Sequence, residues 1–242
     1  MRLHTLPKHA LFLPLLLLAL TLAGGTPPVV LAQTAADRLA TARRLEFNGE
    51  YEAAESAYQA AQSAGGDTAQ TARLELARLY ERWERYTNAL DALRPLTDGS
   101  APARAWLQQG SVLQALGRNE DAITAYGRYV ELSGTAAAYA RVETAKMQAA
   151  GNDNAGALTT LAPLLDGQGP ENARRVGLRV AAPAAESLGG ERWAQALGYY
   201  RAHASLATTT AERTPSLWKT GELARAAGDA ATAIEAYSEL VT

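Results

Sequence analysis

The chain has 242 residues, of which 23 are basic and 25 are acidic, and it contains no cysteine. Because no long basic run is present, nucleic-acid binding is disfavoured, and without cysteine neither disulfides nor the usual zinc sites can form. The length is sufficient for a sizeable core, and the near absence of alternating β-branched residues indicates a helical fold.

The N-terminus carries an apolar run at residues 10–22, which follows Arg2 and Lys8. The run is short for a membrane span and is interrupted by Pro14, so it is typical of a secretory signal. Val30 and Ala32 predict cleavage before Gln33, with cleavage after residue 23 as a second candidate. We therefore expect a signal peptide at residues 1–32 and a helical domain at 33–242, exported to the periplasm or the extracellular space. An uncleaved membrane anchor is the alternative, and it would be the chain's only contact with a membrane.

A small residue followed four positions later by a large one recurs along the rest of the chain. The small residues are Ala54, Ala89, Ala122, Ala157, Ala196 and Ala233, and the large ones are Tyr58, Leu93, Tyr126, Leu161, Tyr200 and Tyr237. A turn precedes each pair. The pattern is clearest at residues 103–132, where Trp106, Gly110 and Leu113 share one helix face ahead of Ala122 and Tyr126. We expect Trp106, Gly110, Ala122 and Tyr126 to be buried in this hairpin.

The successive alanines of this pattern are 33 to 39 residues apart. Units of helix, turn and helix at such a period resemble the tetratricopeptide repeat (TPR) family, in its exported bacterial form. The resemblance implies an all-α, right-handed superhelix, or solenoid, of about six hairpins, at approximately residues 34–64, 67–98, 101–133, 135–166, 170–206 and 211–242. Gln109 departs from the usual leucine, and the register of the fourth hairpin is ambiguous. Pro183 lies inside a predicted helix of the fifth hairpin, where we expect a kink or a break.

A search for catalytic chemistry finds no motif, so we predict no catalytic residue, no cofactor and no metal site, and the chain as given is non-catalytic. His203 is the sole histidine outside the predicted signal, and a lone histidine on a helix is typically a surface or packing residue. The glycine pairs do not form a phosphate-binding loop.

The resemblance implies a binding surface, because the first helix of each hairpin lines the concave side in this family. Carried over residue by residue, the concave positions are Leu39, Arg43 and Glu46; Leu74, Arg78 and Glu81; Arg104, Leu107 and Gln114; Tyr139, Val142 and Lys146; and Trp218, Glu222 and Arg225. The candidate partner-binding residues are Arg43, Arg78, Arg104, Tyr139, Lys146 and Trp218. Their cations could hold carboxylates of a peptide or acidic glycan. The alternative is a solvated face in which Arg78 pairs with Glu75 or Glu81. The family's carboxylate-gripping asparagine is not present at Ala40, Glu75, Gln108 or Glu143.

Two functions are compatible with these features. The first is an exported interaction scaffold that binds a peptide or protein partner in the cell envelope, including one associated with peptidoglycan. The second is the non-catalytic helical region of a larger peptidoglycan-processing enzyme, such as a soluble lytic transglycosylase, whose catalytic domain would follow Thr242. That second interpretation is an analogy of layout, and the coding sequence beyond Thr242 would decide between the two.

Overall fold

A computed structural model describes residues 34–98 and 102–241, and within them the chain forms twelve α-helices and no strand. The helices are α1 Ala35–Phe47, α2 Tyr51–Gln62, α3 Gly66–Arg82, α4 Tyr86–Thr97, α5 Ala103–Ala115, α6 Asn119–Glu131, α7 Ala137–Ala150, α8 Asn154–Leu165, α9 Glu171–Leu188, α10 Arg192–Leu206, α11 Thr210–Ala226 and α12 Ala230–Ser238. The predicted signal peptide lies outside the described residues.

Consecutive helices pair into six hairpins, and each hairpin packs on the next. The first helices of neighbouring hairpins also lie side by side: α1 contacts α3 and α7 contacts α9, and side-chain bonds join α5 to α7 (Gln114 to Glu143) and α9 to α11 (Arg175 to Glu212). The first helices therefore form one continuous surface, called here the first-helix face. This arrangement confirms the predicted all-α solenoid of six hairpins.

Tight turns join the two helices of a hairpin, and most contain a residue with positive φ. Gly117 has φ 71°, a conformation that glycine adopts without steric cost. Asn152 (φ 66°) and Glu84 (φ 56°) take the same region at the corresponding turns. This common geometry keeps the hairpins alike although the turn sequences differ.

Small residues on the first helices make room for large residues on the second helices. Sixteen positions before each large residue of the repeat lies a buried small one; these are Ala42, Ala77, Gly110, Ala145, Ala184 and Gly221. Tyr126 and Ala122 are fully buried, as expected. The expectation that Trp106 is buried was wrong, because the ring lies at the edge of the core and is only partly covered.

Pro183 does not break its helix, since α9 continues to Leu188. The proline removes only the bond that its own N–H would make, and the buried alanines 181, 182, 184 and 185 hold this part of α9 against its neighbours. Packing of this alanine face outweighs the cost of the lost hydrogen bond. A kink or a break was expected at Pro183, and the break does not occur.

Candidate functional site

A groove of about 400 Å³ crosses the first-helix face at hairpins two, three and four. Its lining comes only from α3, α5 and α7: Leu74, Glu75, Arg78, Glu81, Arg104, Leu107, Gln108, Ser111 and Tyr139. Three of the six predicted binding residues, Arg78, Arg104 and Tyr139, meet here. Glu75, Gln108 and Ser111 also line the groove, although they were not among the candidate binding residues.

Tyr139 supplies the exposed aromatic surface of the groove. Its side chain is 49 % exposed, although one edge packs against the Tyr126 ring at a centroid distance of 6.3 Å and nearly perpendicular planes. Leu107 is partly buried beside it, and Leu74 is buried at the base. The groove thus combines an apolar floor with an aromatic ring held in place by a second ring.

Glu81 is one of the two carboxylates that line the groove, with Glu75. Its Oε2 accepts a hydrogen bond from Gln108 Nε2 at 2.8 Å, and Ser111 is a further partner. Burial raises the pKa of Glu81, while the hydrogen bonds from Gln108 and Ser111 and the charge of Arg78 oppose that rise. A partly desolvated acid lined by polar donors is therefore available at the groove surface.

The cations among the predicted binding residues differ in whether a carboxylate of the protein already pairs with them. Arg43 forms a two-bond ion pair with Glu75 of the next hairpin, at 2.6 and 2.8 Å. Arg78 pairs with Glu46 of the preceding hairpin at 3.5 Å, rather than with Glu75 or Glu81, the partners named in the alternative of a solvated face. Arg104 has one long contact, 3.5 Å to Thr71 Oγ1, and no carboxylate partner within the described residues.

Arg43 does not line the groove, and neither do the last two predicted residues, Lys146 and Trp218. Lys146 forms an ion pair of 2.7 Å with Glu143 on its own helix. Trp218 is in the sixth hairpin, 53 % exposed, with its ring 5.7 Å from that of Tyr237. Neither contributes to the groove lining.

Sequence reasoning missed the network that anchors these cations. Glu46 is buried and accepts from Tyr58 Oη at 2.5 Å and from Arg82 at 2.7 Å. In two later hairpins the tyrosine hydroxyl likewise donates to a polar side chain of the first helix: Tyr126 to Gln114 at 3.0 Å, and Tyr200 to Glu186 at 2.7 Å. The available signal was a polar residue near the end of the first helix in these three hairpins, twelve to fourteen positions before the tyrosine.

No helix of the described residues is long and apolar enough to cross a membrane. The same residues contain no group of three or more histidine and acidic side chains placed to hold a metal ion.

Comparison with protein families matches residues 30–137 to a tetratricopeptide repeat-like domain and residues 216–242 to a tetratricopeptide repeat, which together cover more than half of the chain. No curated protein matches the sequence.

Solved structures of low sequence identity share the fold. A tetratricopeptide repeat protein from Parabacteroides merdae ATCC 43184 has a TM-score of 0.61 at 13 % identity, covering 87 % of this chain and 80 % of its own. YrrB, described as a TPR protein with an unusual peptide-binding site, has a TM-score of 0.59 at 22 % identity, covering 75 % and 91 %. PilW, a type IV pilus biogenesis factor, has a TM-score of 0.54 at 18 % identity, covering 86 % and 93 %.

Proposed function

Since the chain belongs to the tetratricopeptide repeat family, and so is a protein–protein interaction scaffold, we propose that it is exported to the cell envelope and binds an extended segment of a protein partner in the groove of hairpins two to four. The groove is the observation that carries this proposal. It lies on three successive first helices, so one extended segment could contact three hairpins at once.

The groove has the length and chemistry for a peptide. Three neighbouring helices at spacings of about 8–10 Å span about 20 Å, which is roughly six residues of extended chain. Leu107 and Tyr139 offer apolar contacts, while Gln108 and Ser111 offer hydrogen bonds to a backbone. An extended segment with an apolar side chain over Tyr139 would use both.

Charge favours a segment with one acidic side chain. Arg104 is exposed and has no carboxylate partner in the described part of the chain, so it can bind a carboxylate without first losing an ion pair. Arg43 would have to leave Glu75, and Arg78 would have to leave Glu46, which also pairs with Arg82. We therefore assign the main ionic contact to Arg104 rather than to all the predicted cations together.

Export to the envelope rests on the apolar run at residues 10–22 and the small residues at Val30 and Ala32. It is consistent with the absence of cysteine, because the solenoid is held by packing and ion pairs and needs no particular redox environment.

Photo-crosslinking tests the groove directly. A photoreactive phenylalanine at position 139 should capture a partner in cells, and the crosslinked peptide should be an extended, partly acidic segment. Arg104→Glu and Tyr139→Ala should each weaken binding of that segment at least tenfold, about 1.4 kcal/mol, with the Arg104 effect smaller at high salt.

Matched controls are Arg44→Glu, an exposed arginine of α1, and Phe47→Ala, an aromatic side chain that is 91 % exposed. Both lie outside the groove lining. If the controls weaken binding as much as the groove variants, the partner docks elsewhere on the solenoid.

A further inference from the structure

A second cavity lies at the other end of the molecule, between the first helices of hairpins five and six. It has a volume of about 320 Å³ and is lined by α9, α10 and α11. Two ion-pair bridges join α9 to α11: Arg175 pairs with Glu212 at 2.6 Å, and Glu186 with Lys219 at 2.9 Å. The cavity lies between these bridges along both helices, and we call it the bridged slot.

His203 of α10 lines the bridged slot and is only 3 % exposed. Its Nδ1 is 2.8 Å from Ser216 Oγ, but its Nε2 is buried without any hydrogen-bond partner in the described residues. A buried ring nitrogen without a partner lowers the stability of the fold, because it has lost its hydrogen bonds to water and has no protein hydrogen bond in their place. Burial also lowers the pKa of His203, an effect that Arg179 and Arg175 reinforce and Glu212 opposes, so the ring is neutral near pH 7.

The walls of the bridged slot are mostly apolar and stiff. Leu178 and Ala182 come from α9, and both helices add a proline, Pro183 and Pro215, whose rings have no rotatable side chain. A cavity of this size with an apolar lining and few polar groups is typical of small-molecule sites. Rigid walls lower the entropy lost when a ligand binds.

Arg179 provides the charge of the bridged slot. It is exposed on α9 and lines the cavity, and it has no carboxylate partner among the residues described. The other charged groups of the lining are already paired, Glu212 with Arg175 and Lys219 with both Glu186 and Glu222. A ligand with a single negative charge would therefore complete the charge balance, and a planar guanidinium fits a carboxylate best.

We propose that the bridged slot binds a small free carboxylic acid with a short branched apolar chain, whose carboxylate pairs with Arg179 and accepts a hydrogen bond from His203 Nε2–H while His203 Nδ1 accepts from the Ser216 hydroxyl. The apolar chain packs against Leu178, Ala182 and the two prolines. A small free acid fits better than a passing peptide, because an ion pair crosses from α9 to α11 on either side of the slot. This site is separate from the groove of hairpins two to four and does not depend on it.

The test uses 4-methylpentanoate as the probe and the full chain labelled with nitrogen-15 in histidine. The ring signals of His203 are identified by their loss in His203→Gln. Millimolar 4-methylpentanoate should shift these signals saturably, whereas the uncharged 4-methylpentanamide should not. In Arg179→Ala the dissociation constant should rise at least tenfold.

Arg225→Ala is the matched control, because it removes an exposed arginine of α11 outside the slot and should leave the binding unchanged. Either an absence of saturable shifts or equal binding by Arg179→Ala would overturn the proposal. The proposal would also be overturned if an N-acetylated dipeptide ending in leucine bound more than tenfold tighter than the free acid. The occupant of the slot would then be a chain terminus. None of these results depends on partner capture at position 139, so the two proposals fail independently.

Discussion

Gly110 lies directly against the ring of Tyr126: a Cβ placed on residue 110 would be 2.6 Å from both Cδ1 and Cε1 of that ring. Gly221 and Tyr237 repeat this contact in the sixth hairpin, where the closest approach would be 2.4 Å. The two helices of these hairpins therefore approach so closely that no side chain fits between them at this point.

Gly110→Leu should overpack this crossing and lower the free energy of unfolding by about 1–3 kcal/mol. Thermal unfolding followed by circular dichroism measures the change. Gly127→Ala is the matched control, because Gly127 is exposed in α6 and a Cβ there would meet nothing within 4 Å. It should raise stability by about 0.5–1 kcal/mol through helix propensity. An unchanged melting temperature in Gly110→Leu would contradict the close approach.

Glu46 should be a larger contributor to stability than any exposed glutamate of the first hairpin. Glu46→Ala leaves the buried Tyr58 hydroxyl without an acceptor and frees two arginines, Arg78 and Arg82. Because both arginine side chains are more than half exposed, we expect a loss of about 2 kcal/mol rather than the larger cost of a fully buried pair. Urea unfolding measures it.

A double-mutant cycle isolates the hydrogen bond of this pair. Tyr58→Phe removes the hydroxyl alone, so Glu46→Ala should cost less in a chain that already carries Tyr58→Phe than in the native chain. Glu52→Ala, an exposed glutamate of α2, should change stability by no more than about 0.5 kcal/mol. Strictly additive effects of the two substitutions would show that the 2.5 Å contact between Tyr58 and Glu46 does not couple them.

The hairpins could be predicted from the sequence because their determinants are local. The spacing from Ala122 to Tyr126, and the turn at Gly117, lie within one hairpin, and both are read directly as helix period and turn chemistry. Burial of both residues then follows from the need of each hairpin to cover its apolar faces.

The electrostatics of the groove could not be predicted in the same way. Arg78 has Glu75 and Glu81 at helical spacing, so the rule for neighbours on one helix favours pairing there. In the structure it turns to Glu46, which lies in the preceding hairpin and is held in place by Tyr58. Such a choice depends on how neighbouring hairpins are stacked, which a single sequence does not reveal. The bridged slot depends in the same way on the spacing of α9 and α11.

Cleavage of the signal should leave a mature chain that begins at Gln33. Thr34 caps α1: its Oγ1 accepts from Asp37 N at 3.1 Å, and its own N–H donates to Asp37 Oδ2 at 3.0 Å. Cleavage before Gln33 keeps the Thr34 N–H as a peptide amide, so this capping box survives processing. Intact mass of the exported protein gives the first residue. Ala32→Asp should block processing at this bond, and an exported species that retains Met1 would refute the assignment.

The pH dependence of stability should reveal Glu81. Burial raises the pKa of this carboxyl above its ordinary value, and the hydrogen bonds from Gln108 and Ser111 only partly oppose the rise. A carboxyl with a higher pKa in the folded chain binds its proton more tightly when folded, so its contribution to stability is favourable in acid. That contribution is lost as pH rises from the pKa of the unfolded chain through the folded value.

Glu81→Gln, which stays neutral and can still accept from Gln108, should therefore stabilise the protein near pH 7, and the gain should shrink toward pH 4. Chemical unfolding of both proteins across this range measures the difference, with the exposed Glu120→Gln as control. A gain that is constant with pH, or larger in acid, would show that Glu81 does not ionise against a desolvation cost in the groove wall.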